Sequence, residues 1–176
     1  MTDVRLLSAP LILLRALAAS AILLASGALH AQALPPGVRL GMSAEELQAA
    51  LPAAERVHRP QRLGGGLVGS WRAAPVEMAG LLFEPTFFFA ASELRRVEYA
   101  ASAQSAPDAG AAAFASLVQW GRGVFGNELA SRDPGSAYAA WVSGDTDVYV
   151  QQLSDPRRAS VRLVYKARQL RDGSEL

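Results

Sequence analysis

The sequence predicts an α+β fold in which two helices pack on one face of an antiparallel sheet of about six strands. Two segments have the caps and the apolar spacing of helices, and each is followed by β-prone segments separated by turn residues. Because strands follow one another directly after each helix, we expect hairpin connections and therefore antiparallel pairing.

The first helix is predicted by a start signal at residues 41–47, Gly-Met-Ser-Ala-Glu-Glu-Leu. The side chain of Ser43 can accept a hydrogen bond from the amide of Glu46, and the side chain of Glu46 can accept one from the amide of Ser43. This reciprocal capping box is typical of a helix N-terminus. The helix is expected to end at about Leu51, because Pro52 stops it.

Three strands are predicted in the rest of the first half. The segment 53–66 is rich in arginine and glycine and is interpreted as a loop. Pro85, within a β-prone segment, favours a bulge or an edge position for its strand. In the last strand, Val97 and Tyr99 alternate with charged residues, which is the period of a half-buried strand. The expected strands cover residues 67–73, 81–89 and 94–100.

The second half of the chain repeats this order. Asp108 is expected to cap a second helix, and Gly126 and Asn127 are expected to end it. Its apolar stripe consists of residues at helical spacing: Phe114, Leu117, Val118, Val124 and Phe125. Turn-rich links separate three further strands, predicted at residues 137–142, 147–153 and 160–167.

The two halves look alike, with possible half-repeats at residues 38–100 and 105–168. Each half ends in a strand with an apolar-x-Tyr pattern, and the tyrosines of the two patterns, Tyr99 and Tyr165, are 66 residues apart. An internal duplication and a chance alignment of two α+β segments both explain this offset. In either case, residues 34–176 are expected to form a single domain.

Residues 1–33 have the organisation of a secretory signal peptide. Arginines precede an apolar run at residues 16–29, and Ala31-Gln-Ala33 provides the small residues that a signal peptidase recognises. The run is shorter than the ~20 residues that cross a bilayer. An uncleaved anchor extended back through residues 11–14 is the alternative, but Arg15 would lie inside it. The protein is therefore expected to be periplasmic or secreted, with no stable membrane anchor after cleavage.

Removal of the leader changes the balance of charge. The whole chain has 17 Lys and Arg against 16 Asp and Glu, and 15 of each remain after residue 33. A formally neutral protein has no net field that would attract nucleic acid or an anionic membrane, so neither is expected as a partner. The chain contains no cysteine, which excludes disulfides, thiolate metal sites and a lipidated N-terminal cysteine.

Motifs that would indicate catalysis or a cofactor are weak. His58, the one histidine after residue 33, is next to an arginine, has no indicated nucleophile or orienting partner, and is expected in an exposed loop. The residues from Gly64 to Gly69 have GxGxxG spacing but do not join a parallel strand to a helix. Asp145 and Asp147 fit a hairpin turn better than a calcium loop, which needs further oxygen ligands. We therefore expect no catalytic residue, no cofactor and no metal site, and we expect that the protein is not an enzyme.

The last predicted strand carries the main candidate binding residues. Arg162, Lys166 and Arg168 occupy alternate positions and are expected on one face of the strand. They form either a binding stripe for an acidic protein or an envelope anion, or a solvent-facing row of charges that keeps the strand soluble. Trp120 is a further candidate, an exposed anchor, because it falls outside the apolar stripe of the second helix. The aromatic residues expected in the core are Trp71, Phe83, Phe87, Phe89, Trp141 and Tyr165.

Two strings resemble a known group of proteins. Residues 37–47, Gly-Val-Arg-Leu-Gly-Met-Ser-Ala-Glu-Glu-Leu, and 87–97, Phe-Phe-Phe-Ala-Ala-Ser-Glu-Leu-Arg-Arg-Val, are similar to small exported bacterial proteins of the SmpA/OmlA-like and β-lactamase-inhibitory-protein-like group. In that group such a helix start precedes an antiparallel sheet, and the inhibitory protein is a tandem of two helix-plus-sheet units. The resemblance implies protein binding, in envelope assembly or enzyme inhibition. This chain lacks the lipidation cysteine and the disulfides of those proteins, and no binding residue carries over.

These patterns together predict an exported, non-catalytic domain of the bacterial cell envelope that binds another envelope protein. The alternative is a binder of a lipid or a small envelope ligand in the space between the helices and the sheet. A deep apolar pocket with polar groups at its end would favour the alternative. An exposed sheet face with stacked aromatic side chains would favour protein binding.

Export with cleavage between Ala33 and Leu34 is the first testable prediction, because the charged, apolar and small-residue segments occur in the order that signal peptidase requires. N-terminal sequencing of the protein from the envelope fraction is expected to begin at Leu34. A chain that still begins at Met1 would contradict cleavage.

Overall fold

The structure, a computed structural model, describes residues 34–155 and 157–168, so the predicted signal peptide lies outside the described residues. The first half of the chain forms α1 (Ala44–Ala50), β1 (Glu55–Arg62), β2 (Val68–Arg72), β3 (Val76–Met78), β4 (Leu81–Ala90) and β5 (Glu93–Ser102). The second half forms α2 (Ala111–Phe125), β6 (Leu129–Asp133), β7 (Ser136–Ser143), β8 (Thr146–Leu153) and β9 (Ser160–Ala167).

All strand pairs in the sheet are antiparallel, with the order β1-β2-β4-β5-β9-β8-β7-β6, and β3 pairs with the outer part of β4. The α+β class is therefore confirmed, as are two helices and an antiparallel sheet for the described part of the chain. The predicted number of about six strands is wrong, because the sheet has nine strands.

The strands that sequence reasoning missed are β1, β3 and β6. The loop expected at residues 53–66 contains β1, which is mostly exposed and carries no buried residue. All five residues of β6 are exposed, and β3 has only three residues. None of the three has a clear alternation of buried and exposed side chains. Pairing with a neighbouring strand, rather than a local pattern, makes them strands.

The capping box of α1 is confirmed. The amide of Glu46 donates to Oγ of Ser43 at 3.2 Å, and the amide of Ser43 donates to the Glu46 carboxylate at 2.8 Å. The residues before the helix are tied to β5, because the amide of Gly41 donates to the carbonyl of Leu94 and the amide of Leu94 donates to the carbonyl of Met42, each at 2.8 Å. The capped end of α1 is thereby fixed to the middle of the sheet.

Asp108 caps α2 from outside the helix. Its carboxylate accepts the amides of Gly110 and Ala112 at 3.0 and 2.7 Å, although the cap residue itself is Gly110 with a φ of 83°. These two bonds lower the pKa of Asp108, with the bond from Ala112 contributing most. The end of the helix at Gly126 is confirmed. Val124, expected in the apolar stripe, is 57% exposed because it lies on the outer side of the last turn.

Both helices cover the same face of the sheet. Leu47 of α1 and Leu117 of α2 belong to one apolar cluster with Val97 of β5 and Leu163 of β9. The six aromatic residues expected in the core are all buried in this cluster, as predicted: Trp71, Phe83, Phe87, Phe89, Trp141 and Tyr165. Alternate residues of each strand therefore point away from both helices.

Pro85 lies in β4, which is an interior strand and not an edge strand. It occupies the place where β2 ends and β3 begins, and its carbonyl accepts the amide of Ala73 at 3.2 Å. In an antiparallel ladder the nitrogen and carbonyl of one residue face the same neighbour, so the nitrogen of Pro85 faces this gap. The missing N–H costs no ladder bond there.

The two halves of the chain meet at the centre of the sheet, where β5 pairs with β9. Val97 lies opposite Tyr165, Glu98 opposite Val164, and Tyr99 opposite Leu163. Residues 66 apart in the sequence are thus placed symmetrically about the Glu98–Val164 pair. This is the arrangement that a tandem of two units would have, and the internal duplication itself stays a prediction.

The close contact of α2 with the sheet depends on a glycine. A Cβ atom built on Gly121 would lie 2.4 Å from the ring of Trp141, whereas one built on Gly123 would meet no atom within 4 Å. The Nε1–H of Trp141 donates to the carbonyl of Gly126 at 2.9 Å, so the ring is held in place. The indole cannot yield without losing that bond.

Matched alanine variants at these two glycines test this packing. Gly121→Ala is expected to lower the free energy of unfolding by about 1–3 kcal/mol through overpacking. Gly123→Ala is expected to raise it by about 0.5–1 kcal/mol, because alanine favours a helix and has open space there. Urea denaturation of both variants measures the difference. Equal destabilisation by the two substitutions would contradict the packing of Trp141 on Gly121.

Candidate functional site

The face of the sheet that points away from the helices is the candidate functional site. We call it the open face, since both helices pack on the opposite one, although Phe88, Val164 and Glu98 at its centre are buried. Strand register puts its members in neighbouring rows. These are Thr86 and Phe88 of β4; Arg96 and Glu98 of β5; Arg162, Val164 and Lys166 of β9; Asp147, Tyr149 and Gln151 of β8; and Tyr138, Ala140 and Val142 of β7.

A buried carboxylate lies at the centre of the open face. Glu98 is only 5% exposed and accepts two hydrogen bonds from Arg96, at 2.6 Å from Nη2 and 3.2 Å from Nε. Nη1 of Arg162 lies 3.5 Å from the other carboxylate oxygen. One acid is thus shared by two arginines, which satisfies its desolvated charge.

Arg96 is fixed by aromatic rings as well as by Glu98. Its guanidinium carbon lies 5.7 Å from the ring centroid of Phe88 and 5.7 Å from that of Tyr149. A cation in contact with two ring faces gains from the electron density of both. Gly69 makes room for this arrangement, because a Cβ there would lie 2.8 Å from the Phe88 ring.

A second aromatic contact extends toward β7. The rings of Tyr138 and Tyr149 lie 5.4 Å apart at an angle of 38°. Burial raises the pKa of both hydroxyls, so these side chains stay neutral at ordinary pH. Both residues are only half-buried, and two strongly exposed apolar residues lie beside them, Val142 at 50% and Leu129 of β6 at 78%. This end of the open face is an exposed aromatic and aliphatic surface.

The structure separates the four residues that the sequence nominated for binding. Arg162 and Lys166 lie on the open face, where Arg162 contacts Glu98. Arg168 follows the end of β9 and pairs with Asp147, its Nε 3.2 Å from a carboxylate oxygen. Two of the three cations thus have acidic partners, and the choice between a binding stripe and a solvent-facing row of charges stays a prediction.

Trp120 is on the other side of the molecule. It is partly buried against the core, and its ring meets Phe125 edge to face at 5.5 Å. The prediction of an exposed anchor is wrong, because the last turn of α2 folds Phe125 beneath the indole. Trp120 thus belongs to the packing between α2 and the sheet.

Sequence reasoning missed Arg96, Glu98, Tyr138 and Tyr149 as members of a site. Alternation places Arg96 and Glu98 on the face opposite Val97 and Tyr99, as the register has them, but Glu98 is buried there, and alternation does not say which residues of other strands lie beside them. The strand order β4-β5-β9-β8-β7 brings these residues together. That order depends on the pairing of β5 with β9, whose sequences lie far apart.

A recess lies on the helix side of the sheet, between α2, β6 and β7. It has a volume of about 690 Å³, an alanine floor (Ala130, Ala137 and Ala139) and an apolar wall that includes Phe114. Arg122, Glu128, Arg132 and Asp133 add charged groups along it. The bidentate contact of Glu128 with Arg122 is the main reason that the pKa of Glu128 is lowered to about 2. Charges along the recess make it a mixed groove rather than a deep apolar pocket.

The other residues considered as candidates in the sequence lie in strands and turns of the fold. His58 is exposed, but on the edge strand β1 and not in a loop. Gly64 lies in the β1–β2 connection and Gly69 in β2, so the GxGxxG string links two antiparallel strands. Asp145 lies in the β7–β8 turn, as expected. Within residues 34–155 and 157–168, His, Asp and Glu side chains nowhere form a group of three that could hold a metal ion.

Comparison of the chain with protein-family models, curated proteins and solved structures gives no match. No helix in the described ranges combines the length and the apolar character that a membrane crossing requires.

The central carboxylate yields a matched pair of variants on the same face. Glu98→Gln is expected to lower the free energy of unfolding by about 1–3 kcal/mol, since two guanidinium groups lose their counter-charge. Glu84→Gln removes the same charge where it is half-exposed and 3.7 Å from Arg72, and is expected to cost less than about 1 kcal/mol. Urea midpoints measure both. Similar values would contradict a special role for Glu98.

Proposed function

We propose that this protein is an exported, non-catalytic domain of the cell envelope that binds another envelope protein through its open face. The observation that carries the proposal is the pair of half-exposed tyrosines, Tyr138 and Tyr149, whose rings contact each other on the sheet face opposite both helices. Tyrosine and arginine are the residues most often found at the energetic centres of protein interfaces. The open face presents both, in contact with each other.

The rigidity of this surface supports the same proposal. Arg96 is held by the Glu98 carboxylate and by two rings, so little side-chain entropy remains to be lost when a partner binds. The exposed side chains of Leu129 and Val142 extend the surface with area that a partner would remove from water. Adjacent fixed polar and apolar groups are typical of interfaces.

The signal-peptide pattern and the resemblance to SmpA/OmlA-like and β-lactamase-inhibitory-protein-like proteins support the location and the general role. The leader pattern favours the periplasm or the exterior. The resemblance adds protein binding, in envelope assembly or enzyme inhibition. It does not nominate a particular partner.

Site-specific photo-crosslinking tests the open face. A photoreactive phenylalanine is placed at Val142, which is 50% exposed on the open face, or at Val124, which is 57% exposed on α2. In the cells that produce the protein, we expect a discrete adduct from position 142 and none from position 124. Adducts from position 124 alone, or from neither position, would contradict the proposal.

A substitution then links the adduct to the aromatic pair. Tyr149→Ala removes the ring that contacts both Tyr138 and Arg96. With the crosslinked partner identified by mass spectrometry and purified, this variant is expected to lose about 2 kcal/mol or more of affinity. Trp120→Ala, on the helix side, is expected to lower stability without changing the affinity per folded molecule.

The groove beside α2 favours a second candidate function, binding of a lipid or a small envelope ligand. Its volume of about 690 Å³ lies within the range of small-molecule sites. Native mass spectrometry of protein purified from envelopes distinguishes the two functions. A bound small molecule that Ala137→Leu displaces from the alanine floor would favour this candidate.

A further inference from the structure

We propose that the open face recognises an extended acidic segment of its partner, in which two carboxylates four residues apart pair with Arg162 and Lys166. This inference rests on the proposed function, that the open face binds a protein. The occupant is a strand-like segment with an acidic side chain at each end and an apolar side chain between them.

Of the two arginines that contact Glu98, Arg162 is the more weakly bound. Arg96 already supplies Glu98 with two hydrogen bonds, whereas Arg162 contributes a single 3.5 Å contact. Nε of Arg162 is buried and has no hydrogen-bond partner in the described part of the chain. The side chain as a whole is 39% exposed, so its guanidinium can turn outward to a new acceptor without leaving Glu98 unpaired.

Lys166 is a second cation without an acidic partner within 4.0 Å among the described residues. Its neighbours in the sheet register are Arg96 on one side and Asp147 on the other. Asp147 is engaged by Arg168 at 3.2 Å. An ammonium group next to a guanidinium, with its nearest carboxylate partly neutralised, gains from any anion that a partner brings.

The spacing of these two cations defines the partner. Arg162 and Lys166 are four residues apart on β9 and point to the same side, which separates their Cα atoms by about 13 Å. A partner chain in the extended conformation repeats side chains with the same pitch. Acidic residues at its positions 1 and 5 can therefore reach both cations, while position 3 faces the half-buried ring of Tyr149, since Val164 between the two cations has no exposed surface.

Other occupants of the open face fit these charges less well. A second copy of the chain would bring the same excess of cations to the contact. A single-stranded nucleic acid could stack on Tyr138 and Tyr149, but Asp147 and Glu98 lie among the cations and would repel its phosphates. A carboxylate segment makes two charge-assisted contacts and places its apolar centre on the rings.

Peptides of matched sequence test this inference directly. The probes are acetyl-Glu-Thr-Leu-Thr-Glu-amide and its counterpart with glutamine at both ends, titrated into ¹⁵N-labelled protein purified from cells that express the full chain. We expect the acidic peptide to shift the backbone amide signals of β8 and β9 and to bind about tenfold more tightly than the glutamine peptide at low salt. Its affinity should fall as salt is added, since exposed charges are screened.

Three variants assign the effect to the two cations. Lys166→Gln removes a charge without an acidic partner among the described residues, so the fold of this variant should be unchanged. The variant is expected to lose most of the preference for the acidic peptide. Arg162→Gln is expected to do the same, with its urea midpoint measured in parallel. Arg158→Gln, at a site whose side chain is 83% exposed in the β8–β9 connection, is the control for overall charge and should leave the preference unchanged.

Equal affinity for the two peptides, shifts confined to residues outside β8 and β9, or tighter binding of oligothymidylate would each overturn this inference. Failure of the proposed function is distinguishable, because it is measured by the adducts from positions 142 and 124. Adducts from position 142 that persist in Lys166→Gln and Arg162→Gln would leave protein binding in place and exclude the acidic segment.

Discussion

The pairing of β5 with β9 is the interaction on which the rest of the structure depends. In the described part of the chain it is the one strand pair that joins the first half of the sheet to the second. It continues without a bulge from Arg96–Lys166 to Ser102–Ser160. On its helix side, Val97, Tyr99, Leu163 and Tyr165 form the middle of the core, and burial raises the pKa of Tyr99 to about 12. On its other side the same register places Glu98 beside Val164.

A buried acid at this position is not explained by stability alone. A well-packed apolar side chain usually serves at least as well as a buried ion pair, and Val164 occupies the opposite position of the same strand pair with no exposure. Glu98 instead fixes the positions of two arginine side chains. Arg96 is held in contact with Phe88 and Tyr149, and Arg162 is held beside the same carboxylate. The buried carboxylate thus orders the side chains of a surface. A binding face requires such order, whereas a core does not require a polar group to obtain it.

Local chemistry was predictable from the sequence, and long-range neighbours were not. The capping box of Ser43 and Glu46, the end of α2 at Gly126 and the burial of Trp141 depend on residues close in sequence or on apolar character. The strands β1 and β6 were missed because edge strands derive their order from one neighbour and bury almost nothing. The candidate site was found only in part, through Arg162 and Lys166. Its remaining members, Arg96, Glu98, Tyr138 and Tyr149, join it through strand order, which alternation in a single strand does not reveal.

Net charge and local charge lead to different conclusions about this molecule. The 15 basic and 15 acidic residues after position 33 cancel in the far field, which is why a polyanion is not expected to be drawn to it from a distance. Within one Debye length, about 8–10 Å, only nearby groups count. At the centre of the open face, Arg96 and Arg162 flank the carboxylate of Glu98, Lys166 lies beside Arg96 in the sheet register, and Asp147 pairs with Arg168. With the leader removed as proposed, the remaining chain has no net charge, and the proposed recognition of acidic over neutral segments would act at contact distance without attraction at long range.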